Sequence, residues 1–488
     1  MIDTKALRSR ILDLAIQGKL TEQLESDGTA EELYQQIQAE KQKIIESGIL
    51  KGKKKIVIRE VSSDIESFSL PSTWKWLRLG EISEIFGRIG FRGYTKNDIV
   101  DENSGALSLS PSNITINGSI VFDKCTYITW EKYEESPEIQ VNIGDIIIVK
   151  TGSSYGKSCI VDNLPCKATI NPQLAILKYV LCNSNYLSLF LNTSYTKKQL
   201  DLFVIGAATP TFSQENLANL LIPLPPLAEQ KRIVERVEEI FRLLDTIDKA
   251  QEKYSADSQI LKAKLITAGI QGKLTEQLES DGTAHELYQQ IQEEKQKLIK
   301  EGKLKKEKPL PEISADEIPF EIPQNWMWVH LGEIFQHNTG KALNSANTDG
   351  QLLEYITTSN VYWDRFELDS LKQMHFTESE IEKCTVTKGD LLICEGGDIG
   401  RSAIWNFDFE MRIQNHLHRL RGYIPDICQK YYYYLMWLYK NTGMINGRGI
   451  GLQGFSSKRV HELIVPLPPL AEQKRIADVL KRVLGVIE

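Results

Sequence analysis

The residues whose types and spacing could do chemistry fall in a few short stretches. Gly152-Ser-Ser-Tyr-Gly-Lys-Ser158 follows an apolar run and resembles a phosphate-binding loop. Such a loop needs four residues between its first glycine and Gly-Lys, so that enough backbone N–H groups wrap the phosphates. Only three stand here, and the related segment Gly396-Gly-Asp-Ile-Gly-Arg-Ser402 carries Arg401 in place of the lysine, which argues against ATP at this place. A Gly-rich turn after a buried strand is expected instead. Asn171-Pro-Gln-Leu174 lacks the second proline and the aromatic of the Asn-Pro-Pro-aromatic motif that grips an amine during adenine methylation, and the matching place reads Asn415-His-Leu417. His416 and His418 have no further ligands at metal-site spacing, so they read as strand histidines. No Ser/His/Asp arrangement has local support. Cys125, Cys159, Cys166, Cys182, Cys384, Cys394 and Cys428 form no C-x-x-C pair and read as reduced, buried thiols. The chain therefore reads as non-catalytic, with no metal and no cofactor of its own.

The elements that would position such residues are dominated by internal repetition. Ile16–Lys43 recurs as Ile270–Lys297 with changes only at Glu31/His285 and Ala39/Glu293. Ile222-Pro-Leu-Pro-Pro-Leu-Ala-Glu-Gln-Lys-Arg-Ile233 recurs at Val465–Ile476. At 488 residues the chain exceeds what one core usually supports. A formal charge of −7 advertises no nucleic acid or acidic membrane globally. The start lacks a signal-peptide plan and no apolar run spans a bilayer, so a cytoplasmic protein is expected.

Residues 1–56 read as helix, turn, helix. Leu7, Ile11 and Leu14 share a face, and Thr29-Ala-Glu-Glu32 is a capping box opening a helix lined by Leu33, Ile37 and Ile44. Residues 57–222 switch to short strand-like runs (106–109, 119–122, 145–149, 158–161, 168–177) around one helical stretch, 184–202, which describes a mixed α/β domain. In 223–308 the prolines force an extended start. A seam at Ile233, Val237, Ile240, Leu244 and Ile247 follows at heptad spacing. Residues 309–465 repeat the plan of the first domain in a different sequence, with Trp326-Met-Trp328 echoing Trp74-Lys-Trp76 and Phe455-Ser456 echoing Phe212-Ser213. Residues 466–488 restart the seam helix at Ile476, Leu480, Val483 and Ile487. Glu488 aligns with Asp245 and Met1 with Ser255, as in a cyclic two-repeat protein cut within one helix. The expected fold is α/β (α+β): two diverged globular domains separated by long antiparallel coiled-coil helices in a pseudo-two-fold circular repeat. The termini should lie together, with the C-terminal seam paired to the one from Ile233 to Ile247.

The helical copies are nearly identical while the globular domains have diverged. Matching exposed residues (Gln17, Lys19, Glu22 and Gln23 against Gln271, Lys273, Glu276 and Gln277) are not required by packing alone. They point to two docking sites for one partner, and the diverged domains to two different ligands.

The doubled Pro-Leu-Pro-Pro-Leu-Ala-Glu-Gln-Lys-Arg-Ile, the Ile-Gln-Gly-Lys-Leu turn and the two domains with a Gly-Asp-apolar-apolar-Ile core resemble the specificity (S) subunit of type I restriction-modification enzymes. The likeness covers essentially the whole chain. It implies two target recognition domains, each reading half of a split site in double-stranded DNA, and helices that bind two copies of a methylation subunit. It also implies a separate ATP-driven restriction subunit. S-adenosylmethionine, ATP and Mg are then expected on the partners, giving site-specific DNA adenine methylation and ATP-dependent cleavage in the complex. The seam and its flanking helix give roughly 30–60 Å at about 1.5 Å per residue, against about 34 Å between half-sites on one face of B-DNA. Acidic residues slightly outnumber basic ones in both domains, so weak DNA binding by the isolated chain is expected. The candidate DNA-reading residues are Arg88, Arg92, Lys157, Ser158 and Thr209 in the first domain. In the second they are Lys341, Arg401, Ser402, Arg448 and Gln453. The competing readings are a symmetric adaptor carrying two non-DNA ligands and an enzyme with a discontinuous active site.

Overall fold

The computed structural model describes residues 1–48, 50, 56–60, 68–88, 92–115, 118–206, 208–344, 348–445 and 454–487. The chain divides into two units, Met1–Glu252 and Lys253–Glu488. The division falls inside one central helix, Leu227–Ile270, which contributes one half to each unit.

In the first unit, the N-terminal helix Thr4–Ala15 is capped by Asp3, whose side chain accepts from the Ala6 amide. The helix Ala30–Glu46 carries the expected capping box, with Thr29 and Glu32 each satisfying the other's backbone N–H. The globular part is closed by its own ends. Lys75–Arg78 pairs antiparallel with Leu221–Leu224, placing Trp76 opposite Pro223. A two-stranded ribbon tolerates that proline, because it has outward positions where no N–H is needed. Two larger sheets follow. One runs Glu84–Phe86, Leu174–Lys178, Ile146–Val149, Ser158–Ile160, and the other runs Ile99–Val100, Thr126–Ile128, Ala106–Leu109, Ala168–Ile170, Gln140–Val141. Ile146 and Ile148 face one core while Ile147 and Val149 face another, so Ile146–Val149 is buried on both sides.

The second unit repeats this plan. Met327–His330 pairs with Ile464–Leu467 and sets Trp328 opposite Pro466. The central sheet runs Phe335–Thr339, Leu417–Gly422, Leu391–Cys394, Ser402–Ile404, beside a second sheet of Lys372–Phe376, Gln351–Ile356, Met411–Ile413, Thr385–Val386.

Several expectations change. The stretch 184–202 is two helices, Ser184–Leu191 and Ser194–Asp201, because Thr193 caps the second by accepting from the Thr196 amide. Residues 119–122 hold only a single bridge, Ile114 to Ile120. Leu7 is exposed, and the N-terminal helix buries Leu12 and Ala15 instead. Cys166 is exposed, while burial of Cys159, Cys384 and Cys394 raises their thiol pKa values. The seam partners also differ from the expected pairing. Ile233 and Val237 pack with Leu12 and Ala15 of the N-terminal helix, with Leu244 also buried and Ile240 and Ile247 half-buried. Ile476 and Leu480 of the C-terminal helix Leu470–Ile487 pack with Ile266 and Ile270. Leu484 is the next buried position there, and Val483 and Ile487 are half-buried. Each terminal helix thus finds its apolar partner on the central helix within its own unit. Polar contacts agree: Arg8 bridges to Asp245 and Asp248 in the first unit, and the Tyr254 hydroxyl donates to the Ile487 carbonyl in the second.

Candidate functional site

The near-identical segments build one knot twice. Glu229, fully buried, accepts from the Trp74 indole N–H (2.8 Å), the Thr21 hydroxyl (3.0 Å) and the Gln23 amide (2.8 Å). Glu472, equally buried, accepts from Trp326 (2.7 Å), Thr275 (3.1 Å) and Gln277 (2.5 Å). Arg232 forks onto Asp27 and donates to the Glu22 carbonyl, and Arg475 does the same to Asp281 and the Glu276 carbonyl. Gln230 donates to the Pro225 carbonyl and Gln473 to the Pro468 carbonyl. The glutamate, glutamine and arginine of each Glu-Gln-Lys-Arg run are therefore engaged within the fold, while Lys231 and Lys474 are exposed. Gly18 (φ +67°) and Gly272 (φ +68°) are required for two reasons. Both sit in the left-handed region, and an added Cβ would lie 2.4 Å from Pro71 Cγ and 2.5 Å from Pro323 Cγ respectively.

This changes the reading of the docking candidates. Gln23 and Gln277 each donate to the buried glutamate of their knot and to the carbonyl of Gly18 or Gly272, while the residues themselves stay exposed. The backbones of Glu22 and Glu276 are used by the arginines, and their side chains face solvent. Lys19 and Lys273 are exposed, each donating to the neighbouring Gln17 or Gln271 at 2.8 Å. Lys19, Glu22 and Gln23 thus lie on the surface in the same geometry as Lys273, Glu276 and Gln277.

The second repeated construction is a loop junction at one end of each central sheet. In the first unit the turn after Ile146–Val149 meets two other segments. Gly152 N–H donates to the Pro210 carbonyl, Thr151 shares a hydroxyl contact with Thr211 (2.8 Å), and Lys150 and Thr151 N–H both donate to the Gln173 carbonyl. In the second unit Glu395 N–H donates to the His416 carbonyl, and Phe455 N–H donates to the Glu395 carbonyl.

The DNA-reading candidates separate sharply. Arg88 is buried, donating to the Ile170 and Arg92 carbonyls and to the Thr169 hydroxyl, and burial lowers its pKa. It holds sheets together and cannot reach a ligand. Arg92 is partly exposed and paired with Glu138. Lys341 is drawn inward, bonding the His375 carbonyl and Glu380, each at 2.7 Å. Arg401 donates to the Thr358 carbonyl and stacks over Tyr362. Ser158 and Ser402 are fully buried, so neither reads anything. Lys157 is half-buried on its turn and Thr209 is exposed. Arg448 and Gln453 lie outside the described residues. Sequence reasoning picked charges beside glycines, and glycine-rich turns here fold their charges back onto carbonyls. It missed Lys150 and Glu395. Each directly follows its central strand, and alignment of the two Gly-Asp-apolar runs would have found them.

His418 is buried, lying 2.9 Å from His337 and bonded to the Phe455 carbonyl. Desolvation and the neighbouring His418 bring His337 down to about 3. Among the described residues no group of three or more His, Cys, Asp or Glu could hold a metal ion, and no helix is long and apolar enough to cross a membrane.

Comparison with known proteins accounts for the doubled design. The family described as Type I restriction modification DNA specificity domain matches residues 71–254 and again 323–488. The type I restriction enzyme EcoAI specificity subunit of Escherichia coli is 26% identical over 535 residues, covering 97% of this chain and 87% of that protein. The EcoEI specificity subunit of the same organism is 24% identical over 548 residues, covering 98% and 88%. Among solved structures, a chain from work on complex assembly and conformational transition of the type I R-M system superposes with a TM-score of 0.60 at 18% identity, covering 86% of this chain and 92% of that one. The HsdS subunit from Thermoanaerobacter tengcongensis gives 0.52 at 18%, covering 86% and 91%. These two likenesses extend to the fold. With both matched stretches together spanning most of its length, the chain belongs to the type I restriction-modification DNA specificity family.

Proposed function

We propose that this chain is the non-catalytic specificity subunit of a cytoplasmic type I restriction-modification complex. Each unit's sheet domain reads one half of a bipartite double-stranded DNA site, and the helices dock two copies of a methylation subunit. One observation carries the reading: the same framework, with the same glutamate–tryptophan knot, appears in both units while the loop junctions of the sheets carry different residues. A duplicated frame with divergent loops suits two readers of different sequence.

Matched apolar residues on the helices support the two-fold docking. In the aligned repeats Leu7 corresponds to Leu261, 42% and 44% exposed, and Leu243 to Val486, 61% and 81% exposed. Packing within the units leaves the same positions uncovered twice, as expected when one partner covers both. Adenine methylation with S-adenosylmethionine belongs, in this reading, to those partners. ATP- and Mg-dependent cleavage belongs to a further restriction subunit. With a net charge of −7, the chain alone should bind DNA weakly and gain affinity when partners add positive surface.

The test is exchange of the first sheet domain for that of a relative, followed by sequencing of methylated motifs in cells that also express the methylation subunit. Change in one half of the motif is the expected result. An unchanged motif, or change in both halves, refutes the assignment of one half-site to each unit.

A further inference from the structure

The two loop junctions share an address that carries opposite charges. Lys150 follows Val149, the last residue of its central strand. Its N–H donates to the Gln173 carbonyl at 2.9 Å, and its carbonyl accepts from Phe212 N–H at 3.2 Å. Glu395 follows Cys394 in the same way, donating to the His416 carbonyl and accepting from Phe455 N–H, both at 2.9 Å. Gln173 and His416 each immediately precede the neighbouring strand, Leu174–Lys178 or Leu417–Gly422. The two positions are therefore structurally equivalent, with the backbone held between two segments on either side.

Their side chains are not spent on the fold. Lys150 is half-buried, and among the described residues no side chain pairs with its ammonium; burial alone lowers its pKa. Among the described residues nothing compensates its desolvation. The Glu395 carboxyl is one quarter exposed, and its polar neighbour is the exposed His416, 3.6 Å away. An acceptor from outside would answer the first and a donor the second.

We infer that Lys150 and Glu395 are the matched specificity determinants of the two half-sites, Lys150 donating to guanine and Glu395 accepting from the exocyclic amine of cytosine. The inference rests on the reading that each sheet domain faces DNA. The sign of the charge decides what the address meets. A position set against phosphates favours a cation and repels a carboxylate. Base edges in the major groove present both kinds of group: guanine offers the O6 and N7 acceptors, and cytosine the N4 donor. Lysine in one unit and glutamate in the other fit bases and not the backbone.

The experiment uses the complete complex, with its methylation subunits, in cells whose genomic methylation is sequenced. The unaltered complex tests the underlying reading: absence of a two-part motif sinks that reading before any variant is considered. Given such a motif, Lys150→Met, which removes the donor, should relax guanine preference at one base pair of one half-site by about 5- to 150-fold. Glu395→Met, which removes the acceptor, should do the same for cytosine in the other half-site. An unchanged motif in both variants overturns the inference. So does a uniform loss of methylation with the base preference intact, which would mark a phosphate or structural role. If Lys150→Met fails to assemble, Lys150→Arg decides, because a guanidinium still donates to guanine. Retained guanine preference supports the assignment, and its loss refutes it.

Discussion

Replacing Glu229 by glutamine tests whether the proline-led repeat is internal architecture. The carboxyl group receives three donors, and Trp74 Nε1 is the one fully buried among them. Glutamine keeps the volume but offers one oxygen, and its NH2 must face a donor. Gln23 retains the Gly18 and Thr21 carbonyls, so its loss is partial. Among the described residues the Trp74 indole N–H has no second partner. Leaving one buried donor unpaired costs about 1–3 kcal/mol, or roughly a 5- to 150-fold rise in the local opening equilibrium. Hydrogen exchange followed by mass spectrometry reads this locally. The knot segments 16–30 and 270–284 are identical in sequence, so peptides containing Trp74 or Trp326, which differ, must report. Glu229→Gln should deprotect the Trp74 peptide and spare the Trp326 peptide, and Glu472→Gln should do the reverse. Unchanged protection, or equal loss in both peptides, would refute the argument that each glutamate secures its own unit.

Other outcomes follow from the same structure. Gly272→Ala forces a Cβ to within 2.5 Å of Pro323 Cγ at a positive φ, and should lower stability by about 1–3 kcal/mol in a urea titration. Arg88→Met should destabilise the first unit in thermal unfolding, because three oxygens lose their donor; wherever the fold survives, the methylated motif should stay unchanged. The His337 pKa, lowered to about 3 by burial, lies below its unfolded value near 6.5. Below pH 6.5 the unfolded chain takes up a proton that the folded chain refuses. Stability is full above pH 6.5 and falls toward pH 3 by about 1.4 kcal/mol per pH unit. His418, also lowered by burial, acts in the same direction. The second unit's urea midpoint should therefore drop between pH 7 and pH 5, and His337→Gln should shrink that drop.

How much was legible beforehand depends on the kind of signal. The capping box at Thr29 is local, set by residues three apart, and it forms as expected; its repeat at Thr283 forms as well. The repeats and the change from helical to strand periodicity likewise needed no tertiary information. Arg88 and Lys341 misled because a cation beside glycine looks the same in sequence whether it faces water or a buried carbonyl. The hydrogen bonds of the exposed Gln23 and Gln277 were not legible for a related reason: their acceptors, Glu229 and Glu472, lie about two hundred residues away in the chain.

By itself, then, the sequence determined a duplicated, circularly arranged chain of two diverged mixed domains with repeated helices, because repetition and periodicity are written in neighbouring residues. Only the tertiary structure decided what the repeats are for. It showed that tryptophan, threonine and glutamine all donate to one buried glutamate in each unit, and that each terminal helix packs on the central helix in its own unit. It also brought Lys150 and Glu395 to one address. Those facts depend on which distant groups share a desolvated space, and burial of that kind exists only once the chain has folded.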